Sequence, residues 1–196
     1  LLALSGGVDS VVLATLLLEL GYTFSAAHCN FHLRAEESNR DADFVIKWAE
    51  CHGVELFIQD FDTYGYMQEK GISLEMAARE LRYSWFENIM QENQFDYLLT
   101  AHHADDSAET FFINLLRGTG IAGLHGILPK NGNIIRPLLF ATRKSILDYA
   151  ELKNIQFVED STNSETKFLR NKIRHRVIPV LKEISPDFDS VIRKNI

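Results

Sequence analysis

Three carboxylates fall within five residues, Asp105, Asp106 and Glu109, directly after His102 and His103 in the stretch AHHADDSAET. At a helix start, Asp105 and Glu109 are spaced i to i+4, and Asp106 and Glu109 i to i+3, so all three can face one spot. Part of this has a structural account: Asp106 and Glu109 match a loose capping box, and acids at a helix start favour its dipole. That covers one or two carboxylates. A third, beside two histidines, raises a repulsion that a cation would relieve, so the three read as a functional cluster rather than a cap alone. A second stretch, SGGVDS at residues 5–10, sets Gly6 and Gly7 between Ser5 and the run Val8, Asp9, Ser10. Glycine lacks a Cβ, so the backbone can turn through positive φ and come close to a ligand. The free N–H groups and dipole of the helix that follows make a phosphate site. Two adjacent glycines flanked by hydroxyls exceed what a cap needs. No GK[ST] follows, so this is not a Walker A loop.

The elements that must hold these residues alternate. Residues 1–4 read as a buried strand and 9–20 as an apolar helix closed by Gly21. Residues 23–30 form a second strand, 36–52 a helix ended by Gly53, and 54–59 a third strand. Residues 73–92 read as an amphipathic helix with Leu74, Ala77, Ala78, Leu81 and Trp85 on one side. A fourth strand at 96–101 precedes a helix at 104–116. A last short strand at 134–139 carries Pro137 near an edge, and Thr142 caps a helix through residue 152. This order implies an α/β fold, a Rossmann-like doubly wound parallel sheet with helices on both faces. In such sheets ligands sit at the carboxyl ends of the strands, where both chemical stretches fall.

With 196 residues, 46% of them hydrophobic, the chain suits one well-cored domain with a small appendage and is too apolar for disorder. Its longest apolar run, residues 11–18, is too short for a bilayer, and nothing reads as a signal peptide, so we expect a cytoplasmic protein without membrane association. Cys29 and Cys51 form no CxxC pair and fit reduced thiols. A net charge of -7 argues against general nucleic-acid binding, yet KFLRNKIRHR at residues 167–176 holds five Lys/Arg and no acid. On a helix, Arg170 and Arg174 share one face, and Lys172 and Arg176 another. Such a run is a solvated face or, in an acidic chain, a contact for RNA phosphates. The sequence opens inside a strand and reaches Ile196 without a stop signal, so we expect a piece of a longer protein. The oligomeric state stays open, a homodimer included.

HCNFHLR offers His28, Asn30, His32 and Arg34 in seven residues, either a solvated loop or a ligand contact. Its histidines follow a strand with no obvious third ligand, which discounts a metal, while an arginine there can clamp a phosphate. In GISLEMAARELRY, Ser73 reads as an N-cap and Arg79 as the i to i+4 partner of Glu75. Arg82, on the same face as Arg79, is the candidate for a phosphate or RNA contact. LLRGTGIAGLHG at residues 115–126 reads as a flexible or tightly turned connection near the site, and DSTN at 160–163 as a turn.

SGGVDS resembles the PP-loop of ATP pyrophosphatases, which cleave ATP between the α and β phosphates. Taken in order with the HCNFHLR region, SLEMAARELRY, HHADDSAET, LLRGTG–GL, RPLL, DSTN and RNKIRH, it makes nearly the whole chain resemble the tRNA(Ile)-lysidine synthetase family, in its N-terminal catalytic domain. Two positions depart from the family pattern. Phe31 follows Asn30 where the family has His, with His32 next, and Ser107 follows the paired aspartates where Gln is frequent.

The resemblance implies a ligase using ATP and Mg²⁺. Its substrates are free L-lysine and the wobble cytidine of a tRNA(Ile) with a CAU anticodon. ATP adenylates the cytosine 2-carbonyl oxygen with loss of pyrophosphate; the lysine ε-amine then attacks the 2-carbon and AMP leaves. Ser5, Gly6, Gly7, Val8, Asp9 and Ser10 would hold the pyrophosphate. Asp105, Asp106 and Glu109 would act on Mg²⁺ or the lysine ammonium, with His32 and Arg82 as further catalytic residues. Lysine, with a pKa of about 10.4, must shed a proton to attack, and a nearby carboxylate can take it. Arg170, Lys172, Arg174 and Arg176 would hold the tRNA backbone. The implied division is a PP-loop domain at residues 1–160 and a basic helical extension at 161–196. The alternatives are another PP-loop enzyme, such as a tRNA thiolase or an amidating ligase, or a nucleotide-binding module without chemistry. A thiolase would need paired reactive cysteines, and a mere binder would not need the acidic cluster.

Overall fold

The computed structural model describes residues 1–34, 36–159 and 169–195. Strand β1, Leu2–Ala3, leads through the glycine turn into α1, Val8–Glu19. That helix is apolar almost all round, and Val11, Val12, Leu13 and Ala14 are buried, as a helix at the centre of a sheet face must be. It ends as expected at Gly21, whose φ is +75°. There Gly21 N–H donates to the Leu18 carbonyl and Tyr22 N–H to that of Leu17, a Schellman closure.

β2, Ala26–Asn30, α2, Glu36–His52, and β3, Leu56–Asp60, follow as read from sequence. An element not anticipated comes next: α3, Thr63–Lys70, capped by Asp62, which accepts from the Gly65 N–H. α4, Leu74–Glu92, starts at Ser73, whose hydroxyl accepts from the Met76 N–H. β4, Leu98–Leu99, precedes α5, Ala104–Leu116, and a 3₁₀ turn at Ile121–Gly123. β5, Lys130–Asn131, and β6, Ile134–Ile135, form a hairpin, and α6, Arg143–Leu152, is capped by Thr142. Leu169–Lys172 (α7), a π-helical turn at Ile173–Val177, and Ile178–Ile184 (α8) run on as one helical segment before α9, Phe188–Asn195.

The six strands order as β3-β2-β1-β4-β6-β5. All neighbours are parallel except β5 and β6, so the expected all-parallel sheet gains one antiparallel edge. That hairpin also moves Pro137 away from an edge, since it follows β6, which lies between β4 and β5. Chain order runs outward from β1 to β3, then restarts at β4 on the other side of β1. The switch point lies between β1 and β4, so the loops after these two strands open the crevice where such sheets bind ligands.

Alternation along β1 divides the core. Leu2 and Leu4 join Val11, Leu13, Val45, Trp48 and Ile146 on one face. Leu1 and Ala27 join Phe86, Ile89 and Met90 of α4 on the other. The helices after residue 168 pack on α5, with Ile173 and Ile178 buried against Ala108 and Ile113. The expected division at 160/161, the DSTN turn and Lys167 lie outside the described residues.

Candidate active site

The turn after β1 is built for close approach. Gly6 has φ +90°, and a Cβ there would meet Val158 Cγ2 at 2.9 Å and Val45 Cγ2 at 3.2 Å. Its carbonyl accepts from the Val158 N–H at 3.0 Å, which braces the turn from behind. Ser10 folds back into the turn: its hydroxyl donates to the Gly7 carbonyl at 2.9 Å, lies 3.1 Å from Ser5 Oγ, and accepts from the Ser5 N–H. Gly7, not Ser5, is the N-cap of α1, and no side chain caps that helix start, so its N–H groups face outward for an anion. Behind the turn the buried His28 meets the Leu4 carbonyl at 2.9 Å through Nδ1, and burial lowers its pKa, keeping it neutral.

Asp9 points across the crevice. Arg143, at the start of α6, donates to Asp9 Oδ2 and, through its backbone N–H, to Asp105 Oδ2 at 2.7 Å. The second Asp9 oxygen is buried without a hydrogen-bond partner. His103, the N-cap of α5, is buried; its Nε2 is 3.5 Å from Asp106 Oδ2 and 3.9 Å from Asp9 Oδ1, and its Nδ1 is 3.6 Å from Asp105 Oδ2. Burial alone would lower its pKa, but Asp105, Asp106 and Asp9 outweigh it and raise the pKa. Burial also pushes Asp105 up, yet His103, the Arg143 N–H and Lys182 hold it well below the usual carboxylate range.

Of the three carboxylates of α5, Asp106 and Glu109 meet at Arg174, and Asp105 turns elsewhere. Asp105 turns to Arg143 and to Lys182 of α8, at 3.7 Å. Asp106 accepts from the His103 N–H at 3.1 Å, so one of its oxygens does cap the helix, while the other lies 3.5 Å from Arg174. Glu109, 1% exposed, is held by Arg174 through two bonds of 2.5 and 3.1 Å, with Arg170 at 3.7 Å. Burial drives the Glu109 pKa up against that pull. The Arg170–Arg174 face therefore packs inward on α5, and Lys172 and Arg176 are the exposed pair.

A cavity of about 480 Å³ joins the two loops, lined by Ser5, Gly7, Asp9, His103, Asp106 and Arg143 among others. A larger one, about 1010 Å³, lies at the amino ends of the strands among Leu13, Leu17, Phe24, Tyr97 and Leu138, with no Lys, Arg or His in its wall. The smaller is the chemical one. Arg143 is the residue that spacing could not flag, because its partners Asp9 and Asp105 are 134 and 38 positions away.

Other anticipated residues lie apart from this cavity. His32, at φ +51°, pairs with Asp60 at 2.7 Å, and Arg34 pairs with Asp41 at 2.7 Å. Arg82 lies over the Phe31 ring at 5.1 Å. Burial pushes the Cys29 thiol up to about 12, which makes it a poor nucleophile.

The PP-loop domain description matches residues 1–181. The chain belongs to the PP-loop domain family. It is 54% identical over 186 residues to a tRNA(Ile)-lysidine synthase of Bacteroides thetaiotaomicron, covering 95% of this chain and 44% of that protein. It is 51% identical over 193 residues to one of Porphyromonas gingivalis, covering 98% and 42%. The chain thus spans less than half the length of these curated relatives. Among solved structures, the U34-tRNA thiolase NcsA of Methanococcus maripaludis, with its [4Fe-4S] cluster, superposes with a TM-score of 0.79 at 22% identity, covering 99% of this chain and 70% of that one. This likeness is one of fold. Among the described residues of the PP-loop chain, no group of three or more His, Cys, Asp or Glu is placed to hold a metal, and no helix is long and apolar enough to cross a membrane.

Proposed function

We propose that this PP-loop chain carries the catalytic part of a tRNA(Ile)-lysidine synthase: adenylation of the wobble cytidine by ATP, then attack by free lysine. The observation that supports it is the sharing of one cavity by the uncapped glycine turn and the carboxylates Asp9 and Asp106. High identity to named lysidine synthases supports the substrates.

In this reading the turn at residues 5–10 binds the β and γ phosphates through backbone N–H groups and the Ser5 hydroxyl, while Ser10 holds the turn in shape through the Gly7 carbonyl. Arg143 adds positive charge on the opposite wall, where charge builds as pyrophosphate leaves, and His103 lies beside it with its pKa raised by Asp105, Asp106 and Asp9. The buried, unpartnered Asp9 Oδ1, together with Asp106, fits Mg²⁺, which takes one or two carboxylates and fills its remaining positions with water and phosphate oxygens. When bound, Mg²⁺ would neutralise phosphate oxygens. Asp106, which lines the cavity, is assigned to the metal, and the carboxylate that takes the lysine proton is left unassigned. Glu109 holds Arg174 in place, so its part is positional. Lys172 and Arg176 are the outward cations available to a tRNA backbone.

The deciding experiment is AMP formation from ATP, with and without lysine, using tRNA(Ile) with a CAU anticodon beside tRNA(Met). The reading requires lysine-dependent AMP with the first and not the second. Lysine-independent turnover, or equal turnover with both tRNAs, would overturn it.

A further inference from the structure

Arg79, Arg82 and Arg136 take no part in the cavity. Arg79 and Arg82 leave one side of α4 three residues apart, and Arg136 directly follows β6 at the carboxyl end of the sheet. The expected Glu75–Arg79 pair is not formed; Arg79 lies over the Tyr83 ring at 4.8 Å, and Arg82 lies over Phe31. Arg136 donates through Nη1 to the Leu128 carbonyl at 2.6 Å, while its Nε is shielded from solvent without a partner. Tyr83, whose ring lies under Arg79, and Ile134 of β6 pack against one core cluster, which sets Arg79 beside the strand end that carries Arg136; burial lowers the Arg136 pKa and Arg79 lowers it further against Tyr83. Among the described residues no carboxylate forms an ion pair with any of the three arginines. Asp9, Asp105, Asp106 and Glu109, by contrast, all have cationic partners.

Two like charges side by side, one with a buried donor lacking an acceptor, cost stability unless an anion accepts from them. We propose that Arg79 and Arg136, with Arg82 beside them, form a subsite for a backbone phosphodiester of the RNA next to the reacting nucleotide. This rests on the RNA substrate proposed above. Guanidinium groups suit phosphate oxygens in pairs, and the Tyr83 and Phe31 rings beneath Arg79 and Arg82 hold the planar groups in place. Arg79 is exposed and Arg136 half-buried, as a groove for a polymer requires. The location fits as well. On extended backbone His102 and His103 point to opposite sides, His103 toward Asp9 and Asp106. The Ile135 carbonyl, one residue before Arg136, accepts from the Thr100 N–H, two residues before His102. Arg136 and the carboxylate cavity thus adjoin one stretch of chain.

The test is equilibrium binding of Arg79→Gln and Arg136→Gln to tRNA(Ile) and to an unrelated single-stranded RNA oligonucleotide across a salt series, beside Arg79→Lys and Arg136→Lys. Each Gln variant should lose about tenfold in RNA affinity and shift the log–log salt slope by about 0.7 to 0.9. The Lys variants should keep the slope, and ATP affinity should stay unchanged. Wild-type affinity and slope in both Gln variants would overturn the subsite. So would a rise in lysine KM alone, which would assign the anion to the amino-acid carboxylate. If Arg136→Gln fails to fold for want of the Leu128 bond, Arg79→Gln decides, since its exposed side chain makes only the ring contact. A chain that forms no lysidine but loses the slope keeps the subsite and refutes the function; lysidine formation with an unchanged slope does the reverse.

Discussion

Replacing Arg174 by Gln strands the most enclosed carboxylate among the described residues. Glu109 is 1% exposed and would keep only Arg170, at 3.7 Å, as a cationic neighbour. Removing one partner of a buried pair ordinarily costs about 3–5 kcal/mol. Glu109 has an escape that sets a ceiling: it can take up a proton. From a reference pKa of about 4.3, with about 1.36 kcal/mol per unit, neutralising it costs about 3.7 kcal/mol at pH 7 and about 1 kcal/mol at pH 5. A carboxyl whose folded pKa is raised favours the fold while protonated, and that advantage is lost as pH climbs through the folded value. The variant should therefore lose at most about 3.7 kcal/mol at pH 7 and recover most of the loss by pH 5. Urea unfolding at both pH values, with Glu109→Gln/Arg174→Gln as a control lacking the stranded charge, measures it. An equal loss at pH 5 and pH 7, or a double variant as unstable as Arg174→Gln, would refute the reasoning.

Asp106→Asn keeps the cap, because an amide oxygen still accepts from the His103 N–H; stability should fall by no more than about 1 kcal/mol while pyrophosphate release slows by about a hundredfold and recovers at high Mg²⁺. Wild-type turnover at low Mg²⁺ and low lysine would leave the residue as a cap alone. His103 has a raised pKa, so its contribution to stability is complete below about pH 6.5 and fades as pH rises through the folded value. The stability gap between wild type and His103→Asn should accordingly narrow between pH 6 and pH 9 in denaturant titrations, and a gap that widens would show that the imidazolium is not what binds the aspartates together.

The glycine turn, the Gly21 closure and the Ser73 and Thr142 caps were legible because each is a short-range device whose parts lie within a few residues. α3 was not: TYGYMQEK has no apolar period, and its stability comes from packing against α4 and from the Asp62 cap. The β5–β6 hairpin turns through the two-residue loop Gly132-Asn133, with the glycine first and at φ +57°, but two-residue strands give no alternation. The carboxylates of α5 were legible as a group and not as individuals. Helix periodicity fixes which side chains can share a face, whereas Arg174, which joins Asp106 to Glu109, and Arg143 and Lys182, which draw Asp105 away, arrive from 38 to 77 residues further along. The same distance hid the inward turn of Arg174, because charge pattern alone does not say which side of a helix meets protein.

The π-helical turn at Ile173–Val177 makes the length of this segment matter as much as its composition. A π turn holds one residue more than an α turn, and one residue is about 100° of rotation. Arg174 lies inside the turn and Ile178 just beyond it, one clamping Glu109 and the other seated on α5. A single-residue deletion between them would let the backbone relax to a regular helix and turn the guanidinium away while the apolar anchor stayed seated. Substitution at the exposed Val177 leaves this phase intact, so a change of side chain there is tolerable where a change of length is not.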